Sequence, residues 1–464
     1  MTHPIIKNIC LLAVLTVSAV SCKIAMPYQQ PDGKAINLYR DQNNTDTTTI
    51  ATIPWQTFFA DTVLKNLISE GINNNLDLKI AVQKIYQAQA TLRLSNDAFL
   101  PNVSANASAS HTKQSVATLG PGFADNYNTY QLGISASWEA DIWGQLSSAK
   151  KAAFAGLLQT EAAKRAIQTQ LIADIANNYY NLLALDKELE FTTLAVQYRI
   201  KDVETMKALK EGDIVTGAAV VQSEANRYSA EVSVPDIKRS IRETENTLNL
   251  LLGRPSGTVR RTKLDDVRTA SDLQTGIPAQ LLKNRPDVQQ AEYAFRSAFE
   301  NTNVAKTYFY PAFTITASGG FSNLTLKDFF VNSVFYNIAA GLTQPIFNQG
   351  INKARLKTAQ AQQLQAMYTY QQTVLTAGQE VSNAMYAFQT AKEKDDARAK
   401  QIAALVKAVD YTEQLLRYSS ATNYTDVLTS EQALLAARLN SVNDKLQQLQ
   451  ATVNLYRALG GGWR

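Results

Sequence analysis

Apolar and polar residues recur along this chain with two different periods, and each change of period marks a change of element. Residues 61–98 carry a helical period in two pieces. The second begins at Leu76 and places Ile80, Ile85, Ala88 and Leu92 near helical spacing. It gives way before Pro101, because the residue ahead of a proline is turned away from helical backbone angles. The period then drops to two. Val103, Ala105, Ala107 and Ala109 alternate with Asn102, Ser104, Asn106, Ser108 and Ser110. Gly120, Pro121 and Gly122 punctuate, and Tyr130, Leu132, Ile134, Ala136 and Trp138 resume the alternation. This predicts a hairpin with one apolar and one polar face, with strands near 102–114 and 128–140. From 145 to 253 the helical pattern returns. The stretch 146–208 holds no proline and a single glycine, Gly156. Sixty residues at a 1.5 Å rise make a helix of about 90 Å, beyond ordinary globular helices and suited to a coiled coil or tube. Gly212 and Gly217 soften its middle, and Pro235 is expected to interrupt it again.

The second half repeats this order. Asp77 and Pro101 bound the first short helix, and Asp287 and Pro311 bound a second at an offset of 210. After Pro311 the alternation Phe313, Ile315, Ala317 predicts a strand near 312–321, with a partner near 335–345. Gly144 and Gly350 follow the two hairpins at an offset of 206. A second long proline-free run covers 351–459 and softens at 419–425. Leu252-Gly253 closes the first run and Leu459-Gly460 the second. The chain therefore divides into a first repeat at 61–254, a linker at 255–275 and a second repeat at 276–464.

Composition narrows the chemistry. Of 464 residues, 45 are Lys or Arg and 40 are Asp or Glu, a formal charge of +5. That leaves no basic stripe for nucleic acid. The charged fraction of 18% lies below the usual quarter or so. Two His and two Cys rule out a His- or Cys-rich metal site and leave little for histidine acid–base catalysis, so no cofactor and no enzymatic activity are expected. Residues 1–21 read as a signal peptide: Lys7, then a short apolar run from Ile9 to Val20, too short to span a bilayer. Cleavage before Cys22 leaves one cysteine, at the first position of the mature chain, which suggests lipidation at Cys22 and a lipidated leader over 22–60. Residues 23–53 are rich in Asn, Thr, Asp and Gln and read as a polar tether.

Four alternating strands cannot close a barrel in lipid, where the smallest barrels have about eight. An open sheet edge is not tolerated there either. The strands must be shared between chains, eight from a dimer or twelve from a trimer.

Ordered motifs then carry a resemblance. They are Trp55 with Phe58 to Asp61, Asn75 to Leu78, Phe99 to Pro101, Trp138 to Gly144, Leu251 to Pro255, Leu281 to Val288 with Ala291-Glu292, and Leu455 to Trp463. On these the chain resembles the bacterial outer-membrane efflux proteins, exit ducts of tripartite multidrug and metal pumps. The resemblance implies a mixed, mainly α fold. A homotrimer would form a 12-stranded outer-membrane β-barrel continuous with a periplasmic α-helical barrel. The chain would sit in the outer membrane, lipid-anchored, and extend into the periplasm. Its partners would be a periplasmic adaptor (membrane fusion protein), an inner-membrane pump of the RND or a related type, and outer-membrane lipid. The same architecture serves type I protein secretion, and a periplasmic coiled-coil adaptor or structural lipoprotein would also use long helices. The terminal Gly-Gly-Gly-Trp and Cys22 favour the efflux branch.

Within this picture Pro101, Gly144, Pro311 and Gly350 are strand–helix junctions. Arg285, Pro286 and Asp287 cap a helix, with Pro286 in its first turn and Arg285 available to a carboxylate. The far tip falls near 209–217 and 418–428. The resemblance implies a glycine followed by a carboxylate at the constriction there. Ser420 and Thr422 stand at those positions, which leaves Asp213 and Asp426 as substitute carboxylates. Tyr179, Tyr180, Tyr368, Tyr370 and Tyr386 read as helix-packing aromatics. Phe329, Phe330, Phe335 and Tyr336 read as part of an interfacial aromatic belt.

Overall fold

The computed structural model describes residues 24–31, 38, 49–115, 126–268, 280–418 and 424–464. The signal peptide, Cys22, Ser420 and Thr422 lie outside the described residues, as do most of the tether and the loop bearing Gly120 to Gly122. Eleven main elements follow in order: α1 (Thr62–Asn74), α2 (Leu76–Asp97), β1 (Asn102–Lys113), β2 (Asn126–Ala140), α3 (Gln145–Glu211), α4 (Gly217–Leu251), α5 (Pro286–Thr307), β3 (Ala312–Asn323), β4 (Val334–Thr343), α6 (Ile351–Tyr418) and α7 (Tyr424–Ala458). The repeat is visible in that list: short helix, hairpin, very long helix, long helix, twice over. A single turn at Ile50–Thr52 stands where a plain tether was expected, and another follows at Trp55–Phe58.

Pro235 does not interrupt. Helix α4 runs through it. A proline inside a helix forfeits one backbone hydrogen bond and crowds the carbonyl four residues back. Pro235 is exposed, so the freed carbonyl can be hydrated and the helix continues.

The strands form one antiparallel sheet in the order β1-β2-β3-β4. The two hairpins meet at β2 and β3, with Ala136 opposite Ala317 and Ile134 opposite Gly319. The register stacks side chains of one kind in each row. Val103, Ala136, Ala317 and Ile338 form one row, and Ser104, Ser135, Ser318 and Asn337 form the next. One face is therefore apolar and the other carries hydroxyls and amides. On the apolar face Ile134, Tyr336 and Ile338 are 59%, 83% and 75% exposed, so nothing in a single chain covers it.

Two compact units share the helices. The first comprises residues 1–32, 85–160 and 291–370, and holds the whole sheet. Its helical packing relies on small residues: Ala152, Ala155, Ala305 and Ala359 are buried. Ser297 donates to the carbonyl of Ala152, and Thr302 to that of Ala359. Short side chains of this kind let helix backbones approach closely.

The second unit comprises residues 33–84, 161–290 and 371–464. Its core is larger and aliphatic: Leu64, Ile68, Ile172, Ile175, Leu182, Leu183, Leu248, Val381 and Leu455, all nearly fully buried. Tyr179, Tyr180 and Tyr370 are buried as expected of packing aromatics, Tyr370 in the first unit. Tyr368 and Tyr386 are not; among the described residues they are 63% and 69% exposed.

The long helices close alike in the two halves. At the end of α4, Gly253 has φ +68° and Arg254 N–H donates to the Asn249 carbonyl. At the end of α7, Gly460 has φ +90° and Gly461 N–H donates to the Tyr456 carbonyl. Both are Schellman ends, which place glycine in the left-handed position. Both also lie tight against the turn that opens the adjacent short helix. A Cβ on Gly253 would stand 2.6 Å from the Asn74 oxygen, and one on Gly460 would stand 2.6 Å from the Asn284 oxygen. Gly460→Ala combines this clash with a left-handed backbone angle. It is expected to destabilise the protein by about 1–3 kcal/mol, read as a lower midpoint of thermal unfolding in detergent.

Candidate functional site

The first candidate surface is the polar face of the sheet and its helical mouth. Pro101 and Pro311 stand directly before β1 and β3, four residues beyond the ends of α2 and α5. Gly144 (φ +77°) and Gly350 (φ +80°) stand directly before α3 and α6. These left-handed angles let the chain reverse from strand to helix where a Cβ would be strained. Asp141 caps α3: one carboxylate oxygen accepts from Leu146 N–H at 2.8 Å, the other from Ser147 N–H at 2.9 Å. Trp143 Nε1 donates to the Pro311 carbonyl at 2.7 Å, which ties the exit of one hairpin to the entry of the other.

The tether residues that follow Cys22 lie on this unit. Met26 exchanges two hydrogen bonds with the Asn303 amide, at 3.3 and 3.0 Å. Tyr28 sits edge-on to Phe299 at 5.7 Å and tilted to Phe295 at 5.9 Å. Burial pushes the Tyr28 hydroxyl and the neighbouring Glu292 carboxyl above their ordinary ranges. The Ala25 methyl lies 3.9 Å from where a Cβ on Gly144 would be.

In the second unit the structure brings Arg285, Pro286 and Asp287 together at the start of α5. Pro286 is its first residue, and Asp287 Oδ1 accepts from Val288 N–H at 3.0 Å. Arg285, only 5% exposed, donates to Asp287 at 3.0 Å, to Glu380 at 2.7 Å and to the Ala458 carbonyl at 2.9 Å. The first repeat holds an uncharged counterpart. Asn75 Oδ1 accepts from Leu78 N–H, and its Nδ2 donates to the Leu251 carbonyl, both at 3.0 Å.

The expected tip residues fall at helix ends. Asp213 has φ +58° in the turn between α3 and α4. Ile214 N–H donates to Leu209 and Asp213 N–H to Lys210, a Schellman end with aspartate in the place glycine usually takes. Asp213 is exposed, as is Asp426 in the first turn of α7.

Several linked polar groups left no sequence trace. Asp61 caps α1 through Val63 N–H at 2.7 Å, and its second oxygen accepts from Tyr179 at 2.7 Å and Thr262 at 2.8 Å. Burial pushes the Tyr179 hydroxyl up to about 12. Arg261 binds both Asp186 and Glu245, so the chain after Gly253 is fastened to helices, with Val259 and Leu264 buried. Between α3, α6 and α7 lies a cavity of about 250 Å³ that Phe191, Tyr198, Val406, Val409, Leu434 and Leu435 help to line. At its edge the buried Arg199 donates to Asp202 at 3.0 Å and to Glu431 at 2.9 Å. One guanidinium serves two carboxylates there. Burial first, and then the like charges of Asp202 and Glu413, push the Glu431 carboxyl up to about 7. The spacing of 232 residues between Arg199 and Glu431 explains why pattern reading could not pair them. Among the described residues no group of three or more His, Cys, Asp or Glu could hold a metal ion, and no helix is long and apolar enough to cross a membrane.

Comparison with known proteins gives the arrangement its context. Residues 67–254 and 277–461 match the profile of the family described as outer membrane efflux protein. The chain is 29% identical over 422 residues to the cation efflux system protein CusC of Escherichia coli K12, covering 88% of each chain. It is 28% identical over 467 residues to the toluene efflux pump outer membrane protein TtgC of Pseudomonas putida, covering 98% of this chain and 96% of that one. Among solved structures, the open-state MtrE outer membrane channel of Neisseria gonorrhoeae superposes with a TM-score of 0.84 at 26% identity, over 96% of this chain and 99% of that one. CusC superposes with a TM-score of 0.83 at 26% identity, over 95% and 100%.

The Arg199 cluster carries a pH dependence. The folded chain holds the Glu431 proton up to about 7, whereas the unfolded chain releases it near 4.5. Between those values the folded state binds more protons, so this site favours folding at low pH and its contribution is lost as pH rises through about 7. The difference is expected to reach about 1–3 kcal/mol. Glu431→Gln keeps an acceptor for Arg199 and removes the titration. Chemical denaturation at a series of pH values checks this: the wild type should lose stability between pH 5 and 8, and the variant should lose less.

Proposed function

The chain belongs to the outer membrane efflux protein family, and from that premise we propose that three copies assemble into one outer-membrane exit channel. The observation that carries this reading is the sheet. Among the described residues β1 pairs only with β2 and β4 only with β3. Each edge leaves a row of backbone donors and acceptors that lipid cannot satisfy. Joining β4 of one copy to β1 of the next closes the ring at twelve strands. The apolar rows then face lipid, and the hydroxyl and amide rows face a water-filled pore. The exposed apolar side chains along the helices, such as Tyr86, Leu94, Leu375 and Tyr386, supply the contacts between copies.

The channel does no chemistry. It conducts small molecules, drugs or metal ions in the pattern of CusC and TtgC, handed over by an inner-membrane pump of the RND or a related type through a periplasmic adaptor. Asp213, Thr422 and Asp426 belong to the periplasmic constriction, where three like-charged copies about one axis would bias ion passage. Pro101, Gly144, Pro311 and Gly350 hold the strand-to-helix reversals. Arg285, Pro286 and Asp287 fasten the start of α5. Cys22 carries the lipid. Residues 1–21 form the signal peptide and 22–60 the lipidated leader. Residues 61–254 and 276–464 are the two repeats, and 255–275 joins them.

Images of detergent-extracted particles are expected to show three-fold tubes about 100 Å long or more, the length that helices of this size require; globular monomers would end this reading. A deletion strain is expected to become sensitive to drugs or metal ions. Unchanged sensitivity together with lost protein export would assign the channel to secretion instead. Cys22→Ser is expected to abolish incorporation of labelled fatty acid.

A further inference from the structure

The polar face of the sheet carries a phenylalanine, Phe335. Successive rows on that face read Asn102, Ser137, Thr316, Ala339, then Ser104, Ser135, Ser318, Asn337, then Asn106, Gly133, Gly320, Phe335. Phe335 was expected in the interfacial aromatic belt. The register puts it on the opposite face from Tyr336, because neighbours in a strand point to opposite sides.

Phe335 does not stand away from the wall. Its Cζ lies 3.4 Å from where a Cβ on Gly133 would be, two strands away from its own. Adjacent strands are about 4.8 Å apart, so the ring must run sideways across Gly320 to reach Gly133. Gly133 is buried on a face that is otherwise open, and the ring is its cover. The two glycines leave the ring its room. A Cβ on Gly320 would collide with the Leu132 carbonyl, and one on Gly133 would stand 3.1 Å from the Gly319 carbonyl oxygen. At 320 the strands approach so closely that only glycine fits, at 133 a side chain would press on the Gly319 carbonyl, and the ring lies in the resulting trough.

We propose that Phe335, laid flat across Gly320 and Gly133, sets the bore of the transmembrane pore at its level and so determines the largest solute that enters the barrel past that level from the outside. The proposal rests on the reading that the polar face lines the pore. With three copies around the axis, a ring lying on the wall keeps the passage wide, and a ring lifted from the trough narrows it from three sides. At the neighbouring levels, the rows Asn102, Ser137, Thr316, Ala339 and Ser104, Ser135, Ser318, Asn337, that wall carries only short side chains; the other large side chains of this face, Tyr127, Gln131 and Glu139, stand at other levels.

The test uses the full-length trimer in planar lipid bilayers. Polyethylene glycols of graded size are added to the extracellular side, and the largest polymer that still lowers conductance is recorded. Phe335→Ala is expected to shift this cutoff to larger polymers. Gly133→Val fills the trough and is expected to shift it to smaller ones, and adding Phe335→Ala to Gly133→Val is expected to reverse that loss. Should Gly133→Val fail to assemble, the shift in Phe335→Ala decides alone. Normal wild-type conductance with an unchanged cutoff in assembled Phe335→Ala trimers overturns the proposal and leaves the channel reading intact. Wild-type trimers that conduct nothing overturn the channel reading, and the proposal with it.

Discussion

A backbone N–H or C=O buried in hydrocarbon has no water to fall back on, and the four-stranded sheet is arranged around that fact. Three continuous ladders pair the strands over most of their length, and among the described residues the outer sides of β1 and β4 have no partner strand. Those two edges make the single chain incomplete as a membrane object. The rest of the first unit follows from the same demand. The alternation that gives one apolar face must hold in register across all four strands, since a slip of one residue would turn a polar row toward lipid. The joint between the repeats, β2 to β3, falls inside the sheet, so the two halves of the chain share one wall.

The second unit answers to a different constraint. Its long helices bury aliphatic side chains, and the charged groups caught among them include several ion pairs. Arg285, Arg199 and Arg261 each bridge two carboxylates. Buried guanidinium groups of this kind are poor sources of net stability, because desolvation offsets much of the attraction, yet removing one partner is severe. Their effect is to fix which helix faces which. Exposed pairs such as Lys400 with Asp396 contribute little by comparison.

Much of this architecture was legible in the sequence because it is written in local, repeated signals. Proline and glycine at matching offsets placed Pro101, Pro311, Gly144 and Gly350 at the element boundaries, and a period of two placed the strands to within a few residues. What escaped reading depends on distant partners or on context. The Tyr179 hydroxyl meets Asp61 and Thr262 across 118 and 83 residues, separations that periodicity cannot encode. Pro235 carries a breaker's signature, but an exposed backbone disarms it. Tyr368 and Tyr386 look like core aromatics in sequence, and among the described residues they stand exposed. Phe335 was grouped with its neighbours by proximity in sequence, and strand register alone separates its face from theirs. Thr422 and Cys22 lie outside the described residues, so their roles rest on position in the chain.

Asn75 and Arg285 occupy equivalent places in the two repeats. Each reaches the last carbonyls of its long helix, Leu251 in one case and Ala458 in the other. One fastener is neutral and the other is charged and tied to Glu380. After duplication, two copies of one sequence invite mispairing, since either half could dock where the other belongs. An asparagine in the slot of Arg285 would take a guanidinium from Asp287 and leave Glu380 to Arg457 alone, and an arginine in the slot of Asn75 would have to give up its water where a neutral amide now suffices. This single divergence works as a key between twin locks. It makes the closures of the two long helices chemically unlike, although the chain arrives at both by the same turn.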